Sequence, residues 1–304
     1  MNKKIILAGG TGLLGSALSS HLIKKGYQIV LLSRQKGNRS KLHKQVFWDG
    51  INEGDWALEL EGAFALFNFS GKSINCIHNE KNKREIAESR INSVNLLNET
   101  ISKLSSPPAC FIQCGALGYY GNKETKCDEN TEAGFGFLAD LAIKWEEEFF
   151  KTSLPKTRKV LIRIGLPLSQ HGGLLQPLIK LTRFYLGGSA GSGKQYLSWI
   201  HLHDLNRIFE WAIENESTQG IYNGNAPNPV TNEQFMKTLR TELNKPWSPP
   251  APSILVKLGA RYIFQTEPSL ALSGCFSVPN KLLSEGFTFN FPYLEETIKD
   301  IMAT

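Results

Sequence analysis

The stretch Ile5-Ile6-Leu7-Ala8-Gly9-Gly10-Thr11-Gly12-Leu13-Leu14-Gly15 decides how this chain is read. An apolar run suited to a buried strand meets glycines at 9, 12 and 15. Ser16-Ala17-Leu18-Ser19-Ser20-His21-Leu22-Ile23 then follows with helical spacing. Strand, tight turn and helix start, in that order, make a dinucleotide-binding fingerprint, whereas a glycine triplet without that context is an ordinary turn. The glycines supply unusual backbone angles, bare backbone for a pyrophosphate, and room for the helix to pack closely on the strand. The phosphates are expected on the free N–H groups of the helix N-terminus. Gly9, Thr11, Gly12, Leu13, Leu14 and Gly15 are thus the first expected cofactor contacts.

Outward from that turn, the N-terminal part alternates strand-like and helix-like segments, the pattern of a parallel sheet covered on both faces. Strands are expected at Tyr27 to Leu32, Gln45 to Trp48, Ala63 to Phe69, Ala109 to Cys114 and Lys159 to Ile164. Helices are expected from Glu80 to Lys103 and from Phe137 to Phe150. The register changes after Gly165: Leu174 to Leu186 reads as helix, Gln195 to Ile200 as strand, Leu202 to Asn215 as amphipathic helix and Gly220 to Asn223 as strand. Beyond Pro227 the chain is punctuated by Pro246 and Pro249-Pro250-Ala251-Pro252, and offers helices near Ser253 to Ile263 and Leu294 to Met302. The fold class is therefore α/β, a Rossmann-type doubly wound parallel sheet with a smaller, mostly helical C-terminal substrate domain. Residues 1–226 form the dinucleotide-binding domain, about 166–194 contribute to the substrate lobe, and 227–304 form a cap where open sheets bind ligands.

With 304 residues, 41% of them hydrophobic, the chain can bury a sizeable core. No apolar stretch is long enough to span a bilayer, and the run after Met-Asn-Lys-Lys is too short for a secretory signal. The five cysteines (76, 110, 114, 127 and 275) include no C-x-x-C pair, which fits reduced thiols in the cytoplasm and neither a disulfide framework nor a metal site. A formal charge of +6 is spread among acids without a long basic run, which reads first as ordinary solvated surface and after that as a preference for small anionic ligands over nucleic acid; no nucleic acid and no membrane are expected as partners.

Folds of this kind that prefer NAD place a carboxylate at the end of the second strand, about 20 residues past the turn, on the ribose 2′-OH. The sequence there is Leu32-Ser33-Arg34-Gln35-Lys36, with no acid. Arg34 can stack on adenine and pair bidentately with a 2′-phosphate, helped by the Ser33 hydroxyl and the charge of Lys36 or Arg39. The expected cofactor is NADP(H). Gly188-Ser189-Ala190-Gly191-Ser192-Gly193-Lys194-Gln195 nearly spells a P-loop, but it lacks the Ser/Thr that holds magnesium and leads into a strand instead of a helix.

Taken together, the chain resembles the extended branch of the short-chain dehydrogenase/reductase superfamily, and within it the atypical "epimerase family protein" group. The resemblance rests on Ala8 to Gly15, Asn68-Phe69-Ser70-Gly71, Ser89-Arg90-Ile91, Gly118-Tyr119-Tyr120-Gly121, Phe137-Leu138-Ala139 with Trp145-Glu146, and Gly191-Ser192-Gly193 through Ser198-Trp199-Ile200-His201. The segment from Pro279 to Pro292 is similar to the group's small C-terminal domain of unknown function. The resemblance implies cofactor contacts at Asn68, Phe69, Ser70 and Gly71, at Cys114, and at Arg163 and Gly165, where the fold lays backbone against the carboxamide. It also implies substrate contacts at Lys72, Gln195, Trp199 and His201. Arg90 reads as a ligand contact or a helix-surface ion pair, and Asp204 as the cap of its helix.

The superfamily's catalytic Ser, Tyr and Lys are missing. Set against the superfamily, Leu138 stands at the tyrosine position and Ala142 at the lysine position, and Gln113-Cys114-Gly115 replaces the usual Ser-Ala-Ser. Lys144 is no substitute, because two residues turn a helix by about 200°. The catalytic residue is left open, with Tyr119 and Tyr120 as the remaining weak candidates for the proton donor. Two functions stay open: an NADP(H)-dependent epimerase or oxidoreductase acting on a small molecule, and a non-catalytic NADP(H)-binding sensor or interaction protein.

Overall fold

Near-continuous apolar runs make strands that are buried on both faces, and the first strand, Lys4–Ala8, shows this with Ile5 to Ala8 fully buried. A computed structural model describes residues 3–35, 43–170 and 172–303. In chain order the first half contains β1 (Lys4–Ala8), α1 (Leu13–Lys24), β2 (Gln28–Ser33), β3 (Lys44–Phe47), β4 (Ala65–Asn68), α2 (Glu80–Lys103), β5 (Cys110–Ala116), β6 (Lys123–Cys127), α3 (Phe137–Lys151) and β7 (Arg158–Ile164). There follow β8 (Leu166–Leu168), α4 (Leu175–Arg183), β9 (Tyr196–Leu197), β10 (Trp199–His201), α5 (Leu202–Glu214), β11 (Gly220–Gly224), β12 (Val230–Thr231) and α6 (Asn232–Glu242). The last part holds α7 (Ser253–Leu258), continued as a π-turn over Gly259–Ile263, then α8 (Ser269–Leu272), β13 (Cys275–Ser277), α9 (Asn280–Ser284) and α10 (Leu294–Ala303).

Seven strands form one parallel sheet in the order β11-β7-β5-β4-β1-β2-β3. One face packs Leu18 and Leu22 of α1 and Ile208 and Phe209 of α5 against Ile5, Leu7 and Phe67. The other packs Val94 and Leu97 of α2 and Phe149 of α3 against Ile6, Leu66 and Phe111. Two such cores on opposite faces make the sheet doubly wound. A third core joins Leu175 and Ile179 of α4, Phe235 and Leu239 of α6 and Ile298 and Ile301 of α10. The chain returns to the sheet's side through β13, which pairs with β6.

Several expectations change. β5 continues past Cys114 to Ala116. The expected strand over Gln195 to Ile200 is two pieces, because Ser198 turns its hydroxyl to Cys275 O and Ser277 N (2.7 and 2.9 Å). Trp199 and Ile200 are both buried, since opposite faces of β10 meet the third and first cores. The stretch between Pro227 and Ser253 holds α6, started by a capping box of Thr231 and Gln234.

Candidate active site

The turn after β1 is built as its residues require. Gly9 has φ of +70°, and a β-carbon there would press on Ser70 at 2.9 Å. A β-carbon on Gly15 would stand 2.4 Å from the Gly10 Cα, so the first turn of α1 lies directly on the loop. Gly12, by contrast, faces open space. It caps α1 with no side chain bonding the free N–H groups and no acid in the first turn. The helix end is therefore a bare array of donors with a positive dipole.

Around it stand the ends of β2 and β4. Arg34 is exposed, and the buried Ser33 hydroxyl accepts from Gln45 Nε2 at 2.8 Å. Lys36 and Arg39 lie outside the described residues. Asn68 is fully buried; its Nδ2 donates to Gln113 Oε1 (3.0 Å), and its Oδ1 accepts the Ser70 N–H (3.0 Å), which fixes the loop edge. Phe69 stacks on Phe67 and meets Phe209 edge-on. The Ser70 hydroxyl is buried beside Gly9 with no hydrogen-bond partner among the described residues. Burying a hydroxyl unpaired is costly, so this atom has hydrogen-bonding capacity left over.

The charged residues near the site are largely committed elsewhere. Gly71 lies against the Arg90 guanidinium, which donates to Lys72 O (2.9 Å) and Ile86 O (3.0 Å) and sits 5.1 Å from the Trp145 ring. Of the two readings for Arg90, the ion pair is replaced by these backbone bonds, and burial lowers the Arg90 pKa to about 10. Lys72 is tied to Asn82 and Glu85 on α2. Arg163 is buried in a two-bond pair with Glu146 of α3 (2.8 and 2.7 Å), and its Nη1 donates to the Tyr120 hydroxyl (2.9 Å). Gly165 has no room for a side chain, because Ser198 O would lie 2.4 Å from its β-carbon.

The two tyrosines part company. Tyr120 is fully buried, and its single hydroxyl proton has two acceptors in reach, Asp128 O (2.7 Å) and Asn223 Oδ1 (2.9 Å); burial raises its pKa. Tyr119 is half-buried with its ring 3.5 Å from the Arg163 guanidinium. Leu138 faces the pair across Gly118, and Ala142 is buried. Cys114 is buried, and desolvation holds its thiol well above the usual range, so it is no thiolate.

Among the substrate candidates, Gln195 lines a cleft of about 860 Å³ between the Gly191–Gln195 loop and α7–α8, with Lys257, Arg261, Tyr262 and Glu267 opposite. Its amide bonds Ala190 O and Ala271 O (both 3.0 Å). Trp199 lies wholly in the core, its indole N–H bonded to Asn228 O (3.1 Å). His201 is buried, stacked on Phe291, and caps α5. That displaces Asp204 from the expected cap: its buried carboxylate accepts from Asn290 N (3.1 Å), Phe291 N (2.8 Å) and Arg207 Nη1 (2.9 Å). The sequence reading singles out none of Lys257, Arg261, Tyr262 and Glu267, although two cations in an acid-free stretch were visible there. Among the described residues no His, Cys, Asp and Glu cluster could hold a metal, and no helix is long and apolar enough to cross a membrane.

Residues 5–135 match the NAD dependent epimerase/dehydratase family, and residues 251–301 match a domain of unknown function, DUF1731. The mouse epimerase family protein SDR39U1 is 32% identical over 99% of this chain and 100% of its own length. The chain belongs to the epimerase family. Its relatives include the epimerase family protein YfhF of Bacillus subtilis, 33% identical over 98% of each chain. The crystal structure of human epimerase family protein SDR39U1 with NADPH has a TM-score of 0.88 at 30% identity, covering 99% of both chains. A nucleoside-diphosphate sugar epimerase from Corynebacterium glutamicum has a TM-score of 0.79 at 29% identity, covering 98% of this chain and 57% of that one. The epimerase-family match spans the glycine turn, the Asn68–Gly71 edge and the two tyrosines, and it ends before Leu138 and Ala142.

Proposed function

We propose that this chain binds NADP(H) and uses it in an epimerase- or oxidoreductase-type reaction on a small molecule. The observation that carries the reading is the bare N-terminus of α1 over Gly12, flanked by the unpaired Ser70 hydroxyl. A pyrophosphate on those N–H groups supplies the missing partners. Arg34, at the end of β2 with no acid beside it, takes the 2′-phosphate; the NADPH carried by the human relative supports this. Gly9, Thr11, Leu13, Leu14, Gly15 and Ser33 shape that cradle, and Asn68, Phe69 and Gly71 hold its ribose edge. Backbone near Cys114, Arg163 and Gly165 borders the nicotinamide, which supplies hydride transfer when bound.

Proton transfer to a substrate oxygen falls to Tyr119, because the Tyr120 hydroxyl is fully engaged while the Tyr119 ring has the Arg163 guanidinium over it. The Gln195 cleft is the place for the rest of the substrate. A second reading, a cofactor sensor without chemistry, is favoured by Leu138 and Ala142 at the usual tyrosine and lysine positions.

Calorimetric titration decides the cofactor. NADPH should bind more tightly than NADH, and Arg34→Ala should weaken NADPH about 10- to 100-fold, the worth of charge-assisted bonds, and NADH far less, by the lost adenine stacking alone. Equal binding of both cofactors would sink the assignment. A panel of small carbonyl compounds, followed by NADPH oxidation, then separates enzyme from sensor: turnover lost in Tyr119→Phe supports the first, and silence with tight NADPH binding supports the second.

A further inference from the structure

Residues 149–203 and 243–266 contain no Asp or Glu, although the chain carries 28 acids in all. These two stretches meet on one surface. Phe184 and Leu186, just after α4, line a cleft with Phe264 from the π-turn after α7. The Lys245 ammonium lies 4.5 Å over the Tyr185 ring. Arg240 bonds Gly187 O, and the backbone around Ser189 and Ala190 pairs with Ala251.

The two stretches also carry large exposed apolar side chains. Phe184 is 77% exposed, Trp247 73%, Tyr262 72% and Ile263 77%, with Tyr185 and Leu186 also exposed. Scattered single apolar residues are ordinary on a surface, but several large ones on two segments that meet suit an interaction site. Its cations are Lys180, Arg183, Lys245, Lys257 and Arg261, none of which makes an ion pair among the described residues. Glu267 in the adjoining cleft accepts the His78 N–H.

We infer that this face docks peripherally on an anionic lipid bilayer, with Phe184, Trp247, Tyr262 and Ile263 in the headgroup boundary and the five cations on acidic headgroups. Apolar residues mixed with Lys and Arg, and with Tyr and Trp at the boundary, suit an interface that is oily on one side and negatively charged on the other. A symmetric pair of chains meeting through this face would set the same cations against each other, which opposes a second copy as the occupant. Such docking needs no spanning helix, and it revises the expectation that a membrane is no partner.

Co-sedimentation of the full chain with vesicles tests the inference. Vesicles of phosphatidylcholine mixed with phosphatidylglycerol should pellet the chain, whereas phosphatidylcholine alone should not, and added salt should release it. Trp247 is the one exposed tryptophan of the described residues, so its emission should shift to the blue on the mixed vesicles. Lys257→Glu with Arg261→Glu should weaken binding at least about 25-fold, about fivefold for each cation removed. Tyr262→Ser with Ile263→Ser should weaken it at any salt concentration. These positions are exposed, so the fold survives the changes, and the two lipid compositions decide the matter on the native chain alone. The inference is overturned if the native chain ignores the mixed vesicles, if it binds both compositions alike, if folded variants bind as the native chain does, or if the face instead mediates a dimer or captures only an acidic protein.

Discussion

Tyr120 shows how a residue suited to chemistry can be spent on structure. Its hydroxyl meets Arg163, Asp128 and Asn223 at once, at 2.7 to 2.9 Å, inside a cluster with Leu117, Cys127 and Cys275. Tyr120→Phe should therefore lower unfolding stability by about 1–3 kcal/mol, because buried partners are left unpaired, and should leave NADPH affinity within about twofold. Denaturant unfolding beside calorimetry checks both, and lost cofactor binding at unchanged stability would refute the assignment. In the sequence Tyr119 and Tyr120 are neighbours with equal claims. They are told apart only because strand β7 carries Arg163 beneath one ring and beside the other hydroxyl. The Ser70 hydroxyl is similar: its position after strand four was legible, but its lack of a partner depends on how Gly9 closes over it.

Among the elements, α5 carries a titratable cap. His201 Nδ1 accepts the His203 N–H at 3.0 Å, so that nitrogen must be unprotonated. Burial lowers the pKa of His201, against the pull of Asp300 and Asp204, and burial lowers His203 as well. The folded state then resists protonation more than the unfolded chain does, whose histidines titrate near 6.5. Stability is full above about pH 6.5 and declines as pH falls through that value towards the lower folded pKa. Thermal melting between about pH 7.5 and about pH 5.5 should show this loss, and His201→Asn, which keeps a capping acceptor, should flatten part of it. An unchanged slope in the variant would place the titration elsewhere. Element type was largely readable: α2 has the expected limits, because its apolar spacing is long and regular. The α6 helix was not expected, although Thr231-x-x-Gln234 spells its capping box. The β6–β13 pair had no local signature, for Lys123 to Cys127 acquires its partner 150 residues away.

At the scale of the whole molecule, Asp204 ties the C-terminal segment to α5 by accepting the Asn290 and Phe291 N–H groups, while Arg207 of the same helix donates to Thr288 O at 2.7 Å. Asp204→Ala leaves these donors unpaired and should cost about 3–5 kcal/mol. Hydrogen exchange should then speed up first over residues 288–303; uniform acceleration across the sheet would argue against a local tie. The sequence by itself determined the parallel α/β class, the glycine turn and the absence of an acid after the second strand. Each of these depends on residues close together in the chain, where backbone angles and periodicity govern. Only the tertiary structure decided that Trp199 and Tyr120 are core, that Arg163 pairs with Glu146, that Asp204 fastens a distant loop and that two acid-free stretches share one face. Those outcomes come from long-range packing, in which a polar side chain takes whatever partner folding brings within reach and a buried charge must find one.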